Sequence, residues 1–244
     1  MSRGRSTTEG IQGRILIVES GRQIADLIRP PLSAAGYVLR RTDRGLDALR
    51  LVRGGRLDVI VLEGELPDVA GLEVCQRLRT DPEPFPGGVI IVSEKDAEDE
   101  KLKGFEAGAD DYVTQPFLPQ ELLARIRALA RRRRSSEAPP EARHFYRVGR
   151  LELDRYRFEV TWGGFPVEVT RTEFDLLALL MGSPGRVFRR EEMLGLIWGQ
   201  RIVLGPRAID AHMTRLRRRL RKAGVSAPPV EAIRGVGYRL RESE

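Results

Sequence analysis

The first half of this sequence alternates short apolar runs with amphipathic stretches, and no other feature limits the fold so sharply. The runs Ile15–Val18, Val38–Arg41, Val59–Leu62, Val89–Ser93 and Asp111–Thr114 read as strands. Stretches at about 22–35, 45–53, 71–79, 97–107 and 119–133 carry apolar residues at helical spacing. Five strand–helix units in about 120 residues imply an α/β fold, a doubly wound parallel sheet. In such a sheet the functional crevice lies at the C-terminal ends of the strands.

The pattern changes past residue 130. The segment Arg131-Arg132-Arg133-Arg134-Ser135-Ser136-Glu137-Ala138-Pro139-Pro140-Glu141-Ala142-Arg143 has no apolar period and two adjacent prolines. It reads as a helix end running into an exposed linker. The arginine run suits the negative end of a helix dipole, with DNA phosphates as the alternative partner. Beyond it, Leu151, Leu153, Phe158, Val160, Val167 and Val169 mark short alternating strands, and Gly163-Gly164 offers a tight turn. Thr170-Arg171-Thr172-Glu173 has the form of a capping box before Phe174-Asp175-Leu176-Leu177-Ala178-Leu179-Leu180. Helices at about 190–198 and 207–222 and a terminal hairpin complete a winged helix-turn-helix. The expected domains are 12–133 and 147–242, joined by a linker at 134–146.

Charge follows the same division. Residues 1–130 hold 18 basic and 21 acidic side chains, net −3, and residues 131–244 hold 24 and 14, net +10. The basic half is therefore the one expected to meet a polyanion. Only four of the 42 cations are lysines, a bias that a GC-rich genome explains more simply than selection for arginine chemistry. No apolar run approaches a membrane span, and Met1 to Gly10 lacks the apolar core of an export signal. A soluble, cytosolic chain is expected. The single Cys75 has no internal disulfide partner and reads as a small buried residue.

Three segments of the first half carry a resemblance. Arg14-Ile15-Leu16-Ile17-Val18-Glu19, Val61-Leu62-Glu63-Gly64-Glu65-Leu66-Pro67 and Gly108-Ala109-Asp110-Asp111-Tyr112-Val113-Thr114-Gln115-Pro116-Phe117 resemble, in order and spacing, the receiver domain of two-component response regulators. The resemblance implies an aspartate nucleophile, an acidic pair holding a divalent cation, a Ser or Thr for the phosphoryl group, and a lysine that neutralises it. Phosphoryl transfer depends on such cations around the transferred oxygens.

Here that pattern is broken. The acidic pair is Glu19-Ser20, the nucleophile is Glu63, the lysine is Gln115, and Ser93 alone keeps its role. A nucleophile one methylene longer is displaced from in-line geometry, and small displacements are costly. Ordinary aspartyl phosphorylation is therefore not expected, and no catalytic residue, resident metal or cofactor is assigned. Three readings of Glu63 stand side by side: a phosphoaspartate mimic reaching toward Ser93, a satisfied polar residue in a relic pocket, or part of a site for another ligand. Mimicry is the poorer fit in charge and acceptors.

In OmpR/PhoB-type receivers, helix four, strand five and helix five form a symmetric dimer face. Lys101 with Glu121 and Asp111 with Arg125 match two of its ion pairs, while Ala107 stands where an acid would face Arg132. The resemblance implies a two-fold homodimer.

In the second half, Ile209, Met213, Leu216 and Leu220 fall on one helical face, the core side. Arg207, Ala211, Thr214, Arg215 and Arg218 fall on the opposite face, a stripe suited to the major groove of double-stranded DNA. Arg217 and Arg219 flank it and suit phosphates. Val230-Glu231-Ala232-Ile233-Arg234-Gly235-Val236-Gly237-Tyr238-Arg239-Leu240 resembles the wing of OmpR/PhoB-type effector domains, with Arg234 near a tip that enters a minor groove. Tyr238 reads as a packing residue. His212 matches a backbone-contacting position in relatives and serves equally well as a structural histidine. Trp198-Gly199 and Gln200 to Pro206 resemble the loop that in this family contacts RNA polymerase. Ala232 and Thr214 depart from the usual hydroxyl and basic residues and leave the preferred DNA sequence open.

The sequence thus predicts a two-domain, non-enzymatic transcriptional regulator. Its receiver dimerises and its winged helix reads DNA. The rival classes are a receiver that is still phosphorylated or ligand-controlled through a modified pocket, and a scaffold for which DNA contact is secondary.

Overall fold

The computed structural model describes residues 12–54, 56–81, 84–134, 145–198 and 205–241, without the side chains of 131–134. The terminus, most of the proposed linker and most of the loop assigned to RNA polymerase lie outside the described residues. The rest forms two compact units. Among the described residues, one draws on those between 12 and 96 and on 111–130, the other on 97–110 and on those between 131 and 241.

In the first unit β1 (Gly13–Val18), β2 (Tyr37–Thr42), β3 (Val59–Glu63), β4 (Gly88–Ser93) and β5 (Asp111–Thr114) form a parallel sheet in the order β2-β1-β3-β4-β5. The helices α1 (Gln23–Ala34), α2 (Gly45–Arg53), α3 (Gly71–Thr80) and α5 (Pro119–Arg134) connect or follow the strands. The apolar runs are near-continuous because both faces of the sheet are covered. Ile15, Ile17, Val59, Val61, Ile90 and Val92 pack with Ile24, Ile28 and Leu32 of α1 and Leu122 and Ile126 of α5. The alternate residues Leu16, Val18, Ile60, Leu62 and Ile91 are buried as well. Each such side chain contributes about 1.5–3 kcal/mol relative to exposure. Pro30 and Pro31 lie inside α1 and withhold two helical donors, a loss offset by burial of Ile28 and Leu32. Cys75 is fully buried on α3.

Strand order reverses between β1 and β3, which is where a doubly wound sheet opens its crevice. Two close approaches shape that edge. A Cβ on Gly71, at the start of α3, would sit 2.1 Å from the Glu63 carbonyl oxygen, and one on Gly64 would sit 2.9 Å from Ser93 Oγ.

In the second unit β6 (Phe145–Val148), β7 (Leu151–Asp154), β8 (Glu159–Trp162) and β9 (Phe165–Pro166) form an antiparallel platform. The helices α6 (Arg171–Met181), α7 (Arg190–Trp198) and α8 (Arg207–Lys222) follow, with β10 (Phe188–Arg189), β11 (Val230–Ile233) and β12 (Gly237–Leu240) in the order β10-β12-β11. The helix α4 (Glu98–Ala107) belongs to this unit too. The capping box forms: Thr170 N–H donates to Glu173 Oε2 at 2.9 Å, and Thr170 Oγ1 accepts from Glu173 N–H at 3.4 Å. Ile209, Met213, Leu216 and Leu220 are fully buried, as their helical spacing predicts.

The platform differs from the expected strands in detail. Phe158 lies in the turn before β8 with φ 61°, its ring 3.8 Å centroid to centroid from that of Phe174. The Arg171 guanidinium lies over the Phe158 ring at 4.3 Å. Packing on both sides holds a backbone conformation that a bulky residue rarely adopts. Val167 and Val169 lie beyond β9, Val167 tied by its N–H to the Val160 carbonyl at 2.8 Å.

Candidate functional site

The first candidate is the crevice at the C-terminal strand ends. Glu19 follows β1, Glu63 ends β3, Ser93 ends β4 and Gln115 follows β5, so parallel pairing gathers them at one edge. Glu19 is buried, at 1% exposure, and its carboxylate is fully engaged. Oε2 accepts from the Ile24 N–H at 2.8 Å, and Oε1 from the Ala25 N–H at 3.0 Å. These two amides belong to the first turn of α1, whose unpaired donors and dipole favour an anion. Arg41 Nε reaches Glu19 Oε1 at 3.3 Å, and one of its terminal nitrogens donates to the Glu19 carbonyl at 3.0 Å and also to the Gly21 carbonyl.

Glu63 turns toward the same loop: its Oε2 accepts from the Ser20 N–H at 2.6 Å. Ser93 is buried, and its Oγ accepts from the Lys95 N–H at 3.2 Å. Gln115 donates its backbone N–H to the Ser93 carbonyl at 2.8 Å. Lys95, which received no role from the sequence, pairs with Glu65 at 3.1 Å on the surface.

A receiver's divalent cation does not fit these donors. It takes six or more oxygens, with carboxylate help. Here the carboxylate that would lead the set is spent on two amides and a guanidinium, and a hydroxyl stands where the second acid belongs. Among the described residues no cluster of three His, Cys, Asp or Glu side chains is placed to hold a metal ion.

Three of the four residues assigned to a dimer face, Asp111, Glu121 and Arg125, form a network inside the protomer. Arg125 donates from Nη1 to both Asp111 oxygens, at 2.8 and 3.0 Å, and from Nη2 to Glu121 Oε1 at 2.6 Å. Burial works against its charge, but Asp111 and Glu121 outweigh it and hold the guanidinium above its ordinary pKa. Lys101 lies half-buried on α4.

The second candidate is α8 with the β11–β12 turn. Arg207, Thr214 and Arg218 are exposed along α8, Arg217 is half-buried, and Arg234 is exposed at the turn next to Gly235, whose φ is 75°. Ala211 and Arg215 differ from the expected outward stripe, since both are buried, and His212 takes the structural alternative. Arg215 is 6% exposed and His212 is fully buried. Arg215 Nε lies 3.4 Å from Glu173 Oε1, Nη1 donates to the Phe105 carbonyl, and Nη2 lies 2.6 Å from His212 Nδ1. The His212 ring sits between Phe105 and Trp198, at centroid distances of 5.9 and 5.5 Å. The physical reason is α4, which packs within this unit along the α8 face that the helical wheel left outward. Arg219 joins Arg215 on Glu173, at 2.9 Å.

Asp210 of α8 ties three elements together. The Tyr238 hydroxyl of β12 donates to Asp210 Oδ1 at 2.6 Å, and Arg190 Nε of α7 donates to the same oxygen at 2.8 Å. Burial, then the neighbouring carboxylate, push the Tyr238 phenol far up. Tyr238 is thus a packing and tethering residue, with 5% of its surface exposed.

Residues 15–127 match the response regulator receiver domain, and residues 164–240 match the C-terminal domain of transcriptional regulatory proteins. The chain is 37% identical over 230 residues to the response regulator MprA of Mycobacterium sp. (strain KMS), covering 94% of this chain and 98% of that one. MprA of Mycobacterium leprae (strain TN) is also 37% identical over 230 residues, covering 94% and 99%. Among solved structures, a mutant of RitR shares 28% identity with a TM-score of 0.71, covering 95% of this chain and all of that one. No helix among the described residues is long and apolar enough to cross a membrane.

Proposed function

This chain belongs to the OmpR/PhoB-type response regulators, DNA-binding transcription regulators that join a receiver to a winged helix, and from that membership we propose a sequence-specific regulator whose receiver is held in one state instead of being switched by phosphoryl transfer. The observation that carries the DNA reading is the stripe Arg207, Thr214 and Arg218, exposed on α8 and accompanied by Arg234 on the wing. Arginine forks suit guanine edges and phosphates, and the small Thr214 leaves the helix room to approach. Arg215 and His212 take a supporting role in this reading, because both are committed to contacts within the second unit.

The crevice supports the fixed-receiver reading. Both Glu19 oxygens accept backbone hydrogen bonds, and the Ser20 N–H draws the longer Glu63 side chain toward the loop after β1, away from the in-line position of a shorter acid. Gln115 brings no positive charge to the developing oxyanion. Of the three readings of Glu63, the satisfied polar residue is favoured by its hydrogen bond to Ser20. A homodimer through helix α4, β5 and α5 remains part of the proposal, with Lys101 and Glu121 at its surface and Asp111 and Arg125, buried on each other, supporting it from within the protomer. The segment 198–206 is assigned to RNA polymerase.

Two measurements test the proposal. The untreated protein is used to select its site from a random DNA pool, and affinity is then followed against salt. Arg218→Ala and Arg234→Ala are each expected to weaken binding and to lower the salt slope by about 1. Unchanged affinity and slope in both variants would remove these side chains from the interface. Incubation with a small phosphodonor and Mg²⁺ is expected to leave the intact mass unchanged. A stoichiometric phosphoryl adduct would return the protein to the switched class.

A further inference from the structure

A receiver's crevice is an oxygen-rich pocket, and something positive has to balance it. We propose that in this chain the positive group is Arg41: its guanidinium is a resident counter-ion that takes the place of the divalent cation and makes the receiver independent of such ions. The proposal deepens the reading of a receiver that is not switched, and it rests on that reading.

The geometry comes from the sheet. Arg41 lies near the C-terminal end of the edge strand β2, in register with Ile17 of β1. Two residues beyond Ile17 the chain reaches Glu19, and the Arg41 side chain crosses to meet it. It collects three oxygens: the Glu19 carboxylate at 3.3 Å, the Glu19 carbonyl at 3.0 Å and the Gly21 carbonyl. A carboxylate with backbone carbonyls is the kind of set that a hard cation gathers. A guanidinium satisfies the same set with a planar fork of donors and a weaker hold on its own hydration.

The substitution meets the charge and the acceptors of Glu19. Arg41 neutralises Glu19, whose carboxylate is buried, and the Ile24 and Ala25 amides take up its remaining valence. An arriving divalent ion would have to displace these partners and approach a fixed positive charge. The other flank of the loop is held as well, since Glu63 accepts from the Ser20 N–H at 2.6 Å. Residues 19–21 are therefore fastened from both sides by side chains of this chain. The loss of the second acid at Ser20 fits that arrangement, because a third carboxylate beside Glu19, Glu63 and one monovalent guanidinium would add to the negative charge there.

The test uses the full-length protein without any phosphodonor. Thermal unfolding is followed in EDTA and in millimolar MgCl₂, and Mn²⁺ binding is titrated by electron paramagnetic resonance. The wild type is expected to unfold at the same temperature in both buffers and to leave Mn²⁺ free. Arg41→Ala is expected to lower the first unfolding transition in EDTA and to recover several degrees when Mg²⁺ is added. Arg41→Lys, which keeps the charge but not the fork, is expected to unfold earlier yet stay insensitive to Mg²⁺, so it reports even if the alanine variant fails to fold. Saturable Mn²⁺ binding or Mg²⁺ stabilisation in the wild type or in Arg41→Lys overturns the proposal. So does an Arg41→Ala protein that folds and stays insensitive to Mg²⁺. A phosphoryl adduct in the separate mass experiment, with the melts as expected, would defeat the fixed-receiver reading and leave the role of Arg41 as counter-ion standing.

Discussion

Replacing Glu173 with Gln should cost the second unit a large part of its stability. Glu173 is fully buried and faces two guanidiniums, Arg215 at 3.4 Å and Arg219 at 2.9 Å. Glutamine preserves the shape and an amide oxygen for the Thr170 N–H, so the cap survives in large part. What disappears is the charge. Removing one partner of a buried ion pair costs about 3–5 kcal/mol. Arg219 keeps 15% side-chain exposure and Arg215 7%, so water relieves some of the loss, and the lower end, about 3 kcal/mol, applies. For a unit of this size that is a drop of roughly 6–24 °C in the melting temperature. The assay is calorimetry of the full chain, with urea denaturation as a second measure. Arg215→Met added to Glu173→Gln should recover at least about 1 kcal/mol, because a buried charge left behind costs more than an apolar side chain of similar length. A Glu173→Gln protein melting within about 2 °C of the wild type would refute the reasoning. So would two substitutions whose costs simply add.

Two further outcomes test other parts of the fold. Gly71→Ala would place a methyl 2.1 Å from a backbone oxygen that cannot swing aside, and should cost about 3 kcal/mol in a urea titration, the upper end for overpacking; a loss below about 0.5 kcal/mol would show that α3 shifts freely. Asp68 caps α2 through the Gly45 and Leu46 N–H groups at 2.9 and 3.1 Å. Burial works against its charge, but those amides and Arg44 outweigh it and hold its carboxyl below the ordinary value of 3.8. A group lowered on folding stabilises above its unfolded pKa and loses that effect as pH falls through the folded one. The melting-temperature gap between wild type and Asp68→Asn should therefore be full at neutral pH and close as the pH falls below 3.8; a gap that does not change with pH would contradict the assignment.

The strands β1, β3, β4 and β5 were legible because most of their residues are buried on both faces, while the edge strand β2 alternates between half-buried and exposed. A run such as Val59-Ile60-Val61-Leu62 needs no knowledge of its neighbours to be recognised as interior. The capping box at Thr170 and Glu173 was legible for a related reason, since its partners are three residues apart. The role of Arg41 was not legible, because its meeting with Glu19 depends on the register of β1 and β2 across 22 residues. The outward stripe of α8 was half legible. A helical wheel separates Ile209 and Met213 from Arg207 and Arg218, but it carries no information about a second helix. Arg215 and His212 are buried because α4, about a hundred positions earlier in the chain, packs on them. Long basic side chains give no signal of their own that distinguishes a solvated stripe from a desolvated one.

The shared carboxylate of Asp210 carries a mechanical consequence. One oxygen receives both the Tyr238 hydroxyl and the Arg190 guanidinium, so α7, α8 and the strand behind the wing turn as one piece. A tool with jaws welded at a set opening cannot adjust its span to the workpiece. Duplexes whose groove widths already suit that opening would be gripped, and others would have to bend to it, so DNA stiffness would contribute to selection at positions no side chain touches.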